Sequence, residues 1–111
     1  MGTAIDTVLL RVMFQFPNGR APGASQVSVV GSFNGWDPAT HRLTRTHGGD
    51  WSTTIFLPAG RAVYCFWVDG TMWLDQDDEG RMPNAWGSEY SVRYIRPAWP
   101  SSALDTRRSL R

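Results

Sequence analysis

Apolar and polar residues alternate with a period of two from Val8 to Phe16: Val8, Leu10, Val12, Phe14 and Phe16 share one side, and Leu9, Arg11, Met13 and Gln15 the other. That repeat lets an extended strand bury one face, and it cannot line up an apolar stripe on a helix. The pattern returns from Gln26 to Val30, and again, weakly and with polar residues, around His41 to Thr46. In the run that starts at Trp51, residues Trp51, Thr53, Ile55 and Leu57 oppose Ser52, Thr54 and Phe56. The richest run is Ala62 to Val68, with Tyr64, Phe66 and Val68 on one face and Val63, Cys65 and Trp67 on the other. Met72 to Asp75 and Tyr90 to Ile95 complete the set.

Between these runs stand breakers: Pro17-Asn18-Gly19, Ala21-Pro22-Gly23, Gly48-Gly49-Asp50, Pro58-Ala59-Gly60 and Asp69-Gly70. Short strands at close spacing, separated by Gly and Pro, predict an all-β antiparallel sandwich with little helix. The 111 residues amount to one domain with one core. After Arg96 the composition turns to Pro, Ser and Arg, so we expect a sandwich over 1–96 and a flexible basic tail or linker over 97–111.

A net charge of +1 supplies no basic field for a phosphate backbone, which argues against nucleic acid as a partner. No apolar run approaches the roughly 18 residues of a membrane span, and Met1 to Leu10 lacks the pattern of a secretion signal. The single cysteine, Cys65, cannot form an internal disulfide, which fits a cytoplasmic protein.

Titratable groups offer little chemistry. Asp75-Gln76-Asp77-Asp78-Glu79-Gly80 imitates a calcium loop, but its twelfth position is Trp86 where a bidentate Glu is needed, so a solvated acidic loop is expected and no metal. The same neighbouring carboxylates cannot face each other across a cleft as a glycosidase pair does. His41 and His47 read as exposed polar residues with no nucleophile motif nearby. Cys65 has no local cause for a lowered thiol pKa. No catalytic residue and no cofactor are expected.

The six tryptophans are more informative. Trp51 belongs to a core face, and Trp99 lies in the expected tail. Trp36, after Ser32-Phe33-Asn34-Gly35, Trp73, after the Asp69-Gly70 turn, and Trp86, in Pro83-Asn84-Ala85-Trp86-Gly87, stand at turns where a core residue would be wasted. Trp67 lies on the outer face if Tyr64 and Phe66 line the core. Indoles grouped on one surface are costly to keep in water unless something docks there. A pyranose suits them, because its apolar C–H face stacks on a ring while its hydroxyls reach outward. A second small core or a protein interface would use the same rings.

The segments Val27 to Pro38 (VSVVGSFNGWDP), Leu57-Pro58-Ala59-Gly60-Arg61 and Tyr64 to Gly70 (YCFWVDG) resemble family 48 carbohydrate-binding modules. That family includes the glycogen-binding domain of AMP-activated kinase β subunits and the early-set domain of isoamylases and branching enzymes. The likeness runs from about Val8 to Ile95 and implies an immunoglobulin-like early-set β-sandwich. It implies glucose-stacking roles for Trp36 and for Trp73, the latter with one extra residue in the Thr71-Met72 link. Cys65 stands where the family has a lysine that bonds sugar hydroxyls. Trp86 replaces a leucine, Ser88 a threonine, and Tyr90 an asparagine. The expected function is therefore non-catalytic binding of α-1,4-linked glucans by Trp36 and Trp73 with help from Trp67, Trp86, Ser88 and Tyr90. Losing two hydrogen bonds of order 1 kcal/mol each points to weak affinity, roughly 10 μM to 1 mM. The alternative is a regulatory or scaffolding domain that turns the aromatic patch to a catalytic domain or another protein.

Overall fold

The structure, a computed structural model, describes residues 8–97. Alternation resolves into eight strands: β1 (Leu9–Phe16), β2 (Val27–Gly31), β3 (Thr44–Arg45), β4 (Trp51–Pro58), β5 (Gly60–Val68), β6 (Thr71–Trp73), β7 (Gly80–Pro83) and β8 (Glu89–Ile95). One 3₁₀ turn, Asn18–Arg20, is the only helical element among the described residues. The strands form two antiparallel sheets, β1-β4-β3 and β2-β5-β8-β7, with β6 also pairing with β5. The chain is thus an all-β, immunoglobulin-like early-set sandwich, as the sequence predicts. The tail expected over 97–111 lies outside the described residues from position 98 onward, and Trp99 with it.

The period-two faces meet as expected. Val12, Phe14 and Phe16 of β1, with Trp51, Ile55 and Leu57 of β4, pack against Val27 and Val29 of β2 and Tyr64, Phe66 and Val68 of β5. Edge-to-face pairs lock the layers, Phe14 on Tyr64 at 5.1 Å and Phe16 on Phe66 at 5.2 Å between ring centres. Each of these buried aromatics contributes about 1.5–3 kcal/mol of transfer free energy.

Three segments depart from the expected pattern. The polar run around His41 is divided between the sheets. Val29 N donates to His41 O (3.0 Å) and Leu43 N to Val27 O (2.8 Å), after which the chain crosses to β3. His41 is half-buried rather than exposed, its Nδ1 2.9 Å from Asn34 Nδ2, whereas His47 is exposed as expected. Strand β7 is hidden from a pattern search, because Gly80–Pro83 has charge and Pro but no alternation.

The acidic loop is not simply solvated. Asp75 is buried; its carboxylate accepts from the Tyr64 hydroxyl (2.5 Å) and from Asp77 N (2.9 Å), and its own N–H donates to Ser91 Oγ (2.8 Å). Asp78 pairs with Arg81 at 3.0 Å. Glu79 accepts from Tyr94 N and pairs with Arg96, and these contacts, the backbone N–H first, hold its carboxyl below the usual value. The loop is a strap binding β5 to β8 and β7. Among the described residues no three His, Cys, Asp or Glu side chains converge as metal ligands. No helix there is long and apolar enough to cross a membrane.

Candidate functional site

Strand β5 changes partner halfway along one edge. Gly60 to Tyr64 pair with Ile95 to Ser91 of β8, while Phe66 to Val68 pair with Trp73 to Thr71 of β6. Cys65 stands at the point of change, so the sheet forks there. The fork holds a cleft of about 370 Å³, with Cys65 at its floor. Met72, Trp73 and Leu74 form one wall, and Asn84, Trp86, Ser88 and Glu89 the other.

Trp36 reaches this fork from the far side of β5. Gly31 O accepts from both Asn34 N (3.1 Å) and Trp36 N (3.0 Å), and the Asn34 side chain accepts from Gly31 N (3.0 Å) while donating to Val29 O (3.0 Å). Ser28 Oγ donates to Pro38 O (2.7 Å) and ties the end of the loop down over the outer face of β2. Asp37 accepts from Ala39 N and Thr40 Oγ1, which hold its carboxyl below the usual range in that order. These bonds keep Trp36 at φ 61, directly after Gly35 at φ 65. A bulky residue in the left-handed region costs on the order of 1–3 kcal/mol, and such strain collects at binding sites. It aims the indole across β5 onto Tyr90 of β8, the rings stacked 4.3 Å apart at 29°.

Trp86 is presented by a different device. Asn84 Oδ1 accepts from Trp86 N (2.9 Å) and Ser88 N (3.0 Å), and Asn84 N donates to Ser88 O (2.9 Å), a closed turn helped by Gly87 at φ 81. The ring at its tip is 77% exposed and meets Tyr90 edge-on at 6.5 Å. Trp36, Tyr90 and Trp86 therefore form one aromatic row beside the cleft. Tyr90 occupies one face of Trp36.

Trp73 departs from its expected position. Asp69 and Gly70, at φ 47 and 88, make a two-residue turn, and the pairs Val68↔Thr71, Trp67↔Met72 and Phe66↔Trp73 follow with no extra residue accommodated. Met72 therefore takes the outer face. Trp73 shares the face of Phe66 and is half-buried, edge-on to Phe16 at 5.6 Å, with the Arg20 guanidinium 5.2 Å from its ring. It offers the cleft an edge, not an exposed platform. Trp36 too is half-buried, not free in solvent. Trp67 is on the outer face as expected, yet it lines a separate, neighbouring cleft. The structure thus gathers Cys65, Trp73, Trp86 and Ser88 around one cleft with Trp36 and Tyr90 alongside, and it sets Trp67 apart. Met72, Leu74, Asn84 and Glu89 line the cleft without being expected from the sequence; the turn length after Val68 is the signal that could have placed Met72.

Cys65 is 1% exposed although it points away from the core. By register Tyr90 lies beside it, one step beyond the pair Tyr64↔Ser91, and Val30 flanks it on the other side. Burial pushes its thiol up to about 12. The native chain is expected to react with a disulfide reagent at pH 8 at least tenfold more slowly than the urea-unfolded chain. Equal rates would place the thiol in solvent.

A two-layer antiparallel sandwich with an aromatic-lined fork on one outer face has the architecture of an early-set module. Residues 11–96 match the family described as the glycogen recognition site of AMP-activated protein kinase, and the chain belongs to that family. It is similar to a 1,4-alpha-glucan branching enzyme of Xanthomonas campestris pv. campestris, at 36% identity over 64 residues, 55% of this chain and 9% of that enzyme. It is also similar to the 1,4-alpha-glucan branching enzyme of Rhodospirillum rubrum, at 53% over 38 residues, 34% of this chain and 5% of the enzyme. A third likeness, to the enzyme of that name from Yarrowia lipolytica, is 49% over 35 residues, 32% of this chain and 5% of the enzyme. The chain thus spans less than a tenth of the length of these curated relatives.

Proposed function

We propose that the chain is a non-catalytic module that holds α-1,4-linked glucans at the fork of β5, working in the cytoplasm, where Cys65 stays reduced. Trp36 and Trp86 carry the sugar faces. Tyr90 sets the angle between them, Met72 and the edge of Trp73 fill the opposite wall, and Ser88 supplies a hydroxyl. The observation that carries this reading is the Trp36–Tyr90–Trp86 row beside a cleft of about 370 Å³, with strained backbone aiming the first ring. The family's glycogen-recognition description and the branching-enzyme relatives support it. Aromatic rings set at an angle suit a curved α-linked chain better than a flat β-linked one.

Calorimetric titration with maltoheptaose and β-cyclodextrin, with cellohexaose as control, tests the proposal. The expected dissociation constant is roughly 10 μM to 1 mM for the α-glucans, with no heat from cellohexaose. Trp36→Ala and Trp86→Ala are each expected to weaken binding about tenfold or more, with unchanged circular dichroism. Silence toward every glucan would overturn the reading and turn attention to a protein partner. One observation favours that second class: Leu9, Met13 and Phe56 are 55%, 49% and 58% exposed, on the outer face of the three-stranded sheet and away from the fork.

A further inference from the structure

The outer face of the five-stranded sheet has a second feature beyond the fork. Trp67 points outward between Ser28 of β2 and Met72 of β6, its cross-strand neighbours. Its half-buried ring lines a cleft of about 230 Å³ with Pro38, Arg42, Gln26 and Asp69. The Asp69 carboxylate is already engaged by Ser25 N (3.0 Å) and Gln26 N (2.8 Å), which fixes the backbone at Gln26, an exposed residue lining the cleft. Arg42 makes no ion pair among the described residues. A flat indole, one amide and one guanidinium are what an uncharged, hydroxyl-rich ring needs: an apolar face for stacking, and planar donors for its edge.

The two clefts share no lining residue, but the cross-strand pair Trp67↔Met72 joins them on one face of the sheet. Met72 lines the first and is the direct partner of Trp67. Cys65, floor of the first, lies two residues before Trp67 on the same face, about 7 Å along the strand. A ligand extending from the fork over the Met72 wall would meet Trp67 next, on the neighbouring strand.

We infer that Trp67, with Arg42 and Gln26, forms a second subsite for the same α-glucan chain, so that the module grips a longer segment than the fork alone accommodates. The inference rests on the glucan reading of the fork, and length dependence separates the two. Wild-type chain is titrated with maltotriose and with maltoheptaose, alongside Trp67→Ala and the double variant Gln26→Ala/Arg42→Ala. Maltoheptaose is expected to bind wild type roughly tenfold tighter than maltotriose. A longer chain also offers more binding registers, so the advantage in wild type does not decide the matter; its disappearance in the variants does. Trp67→Ala is expected to keep the maltotriose affinity and lose most of the advantage. The double variant, which spares the indole and its packing, is expected to lose part of it, and it carries the test if Trp67→Ala unfolds. Retention of the advantage in the variants that fold, or equal weakening of both oligosaccharides, overturns the second subsite and leaves the fork standing. Failure of wild type to bind either sugar removes both.

Discussion

Tyr64→Phe is expected to lower the unfolding free energy by about 2–3 kcal/mol, the range for a buried hydrogen bond to a charged partner. In a sandwich of this size that corresponds to a fall in Tm on the order of 10–20 °C. The phenyl rings of Tyr64 and Phe fill the same space beside Phe14 and Phe66, so packing changes little. What disappears is the hydroxyl donated to Asp75, and the buried carboxylate then keeps only Asp77 N as a partner. Because Asp75 N is tied to Ser91, the strap joining β5 to β8 loosens with it. Burial first, and Asp75 second, raise the Tyr64 phenol well above its ordinary 10.0. A folded-state value above the unfolded one means that the stabilisation is complete below about pH 10 and is lost as pH rises beyond it. Urea titrations at pH 7 and pH 10.5 check both halves: Tyr64→Phe should be the less stable protein at pH 7 and should lose less than wild type at pH 10.5. A change below about 0.5 kcal/mol at pH 7 would mean that the hydroxyl is satisfied by water.

Gly31→Ala is expected to be at least as damaging, on the order of 2–4 kcal/mol, and to weaken glucan binding as well. A Cβ at Gly31 would stand 2.6 Å from Val63 O and 2.6 Å from the Phe33 ring. The ring can shift only by giving up its stack on Phe14 at 5.8 Å. The carbonyl cannot shift freely, because it accepts from Ser32 N at 3.1 Å. Gly31 also anchors the turn that aims Trp36, so any relief of the clash is transmitted to the ring. Thermal unfolding reads the first effect, and maltoheptaose titration of the fraction that stays folded reads the second. An alanine variant with wild-type Tm and affinity would show that this strand end yields readily.

The strands with clean alternation were legible because burial on one face leaves a mark on every second residue. Val12, Phe14 and Phe16, then Ile55 and Leu57, then Tyr64, Phe66 and Val68 all face the core as read. Trp51 packs there too. Trp86 was legible as an exposed loop residue for the same reason in reverse, having no alternating run to join. What escaped depended on partners remote in sequence. Asp75 looks like one acid among several until Tyr64 and Ser91 are brought to it from other strands. Trp73 is expected outside from its place after the Asp69-Gly70 turn, but the register Phe66↔Trp73 gives it the core face, since one position in a strand decides the face. Cys65 alternates outward as read, but its burial comes from neighbours on β2 and β8, which no local pattern reports.

The change of partner along β5 bears on how such modules diversify. Because the opening is bounded by the ends of two hairpins, its breadth follows from where β6 stops and where the turn before β8 begins, and only secondarily from which side chains line it. Lengthening either hairpin by a pair of residues would narrow the gap and shortening it by a pair would widen it, and a change by pairs keeps each side chain on its own face. Insertions and deletions there, more than point substitutions, would therefore reset the size of the opening.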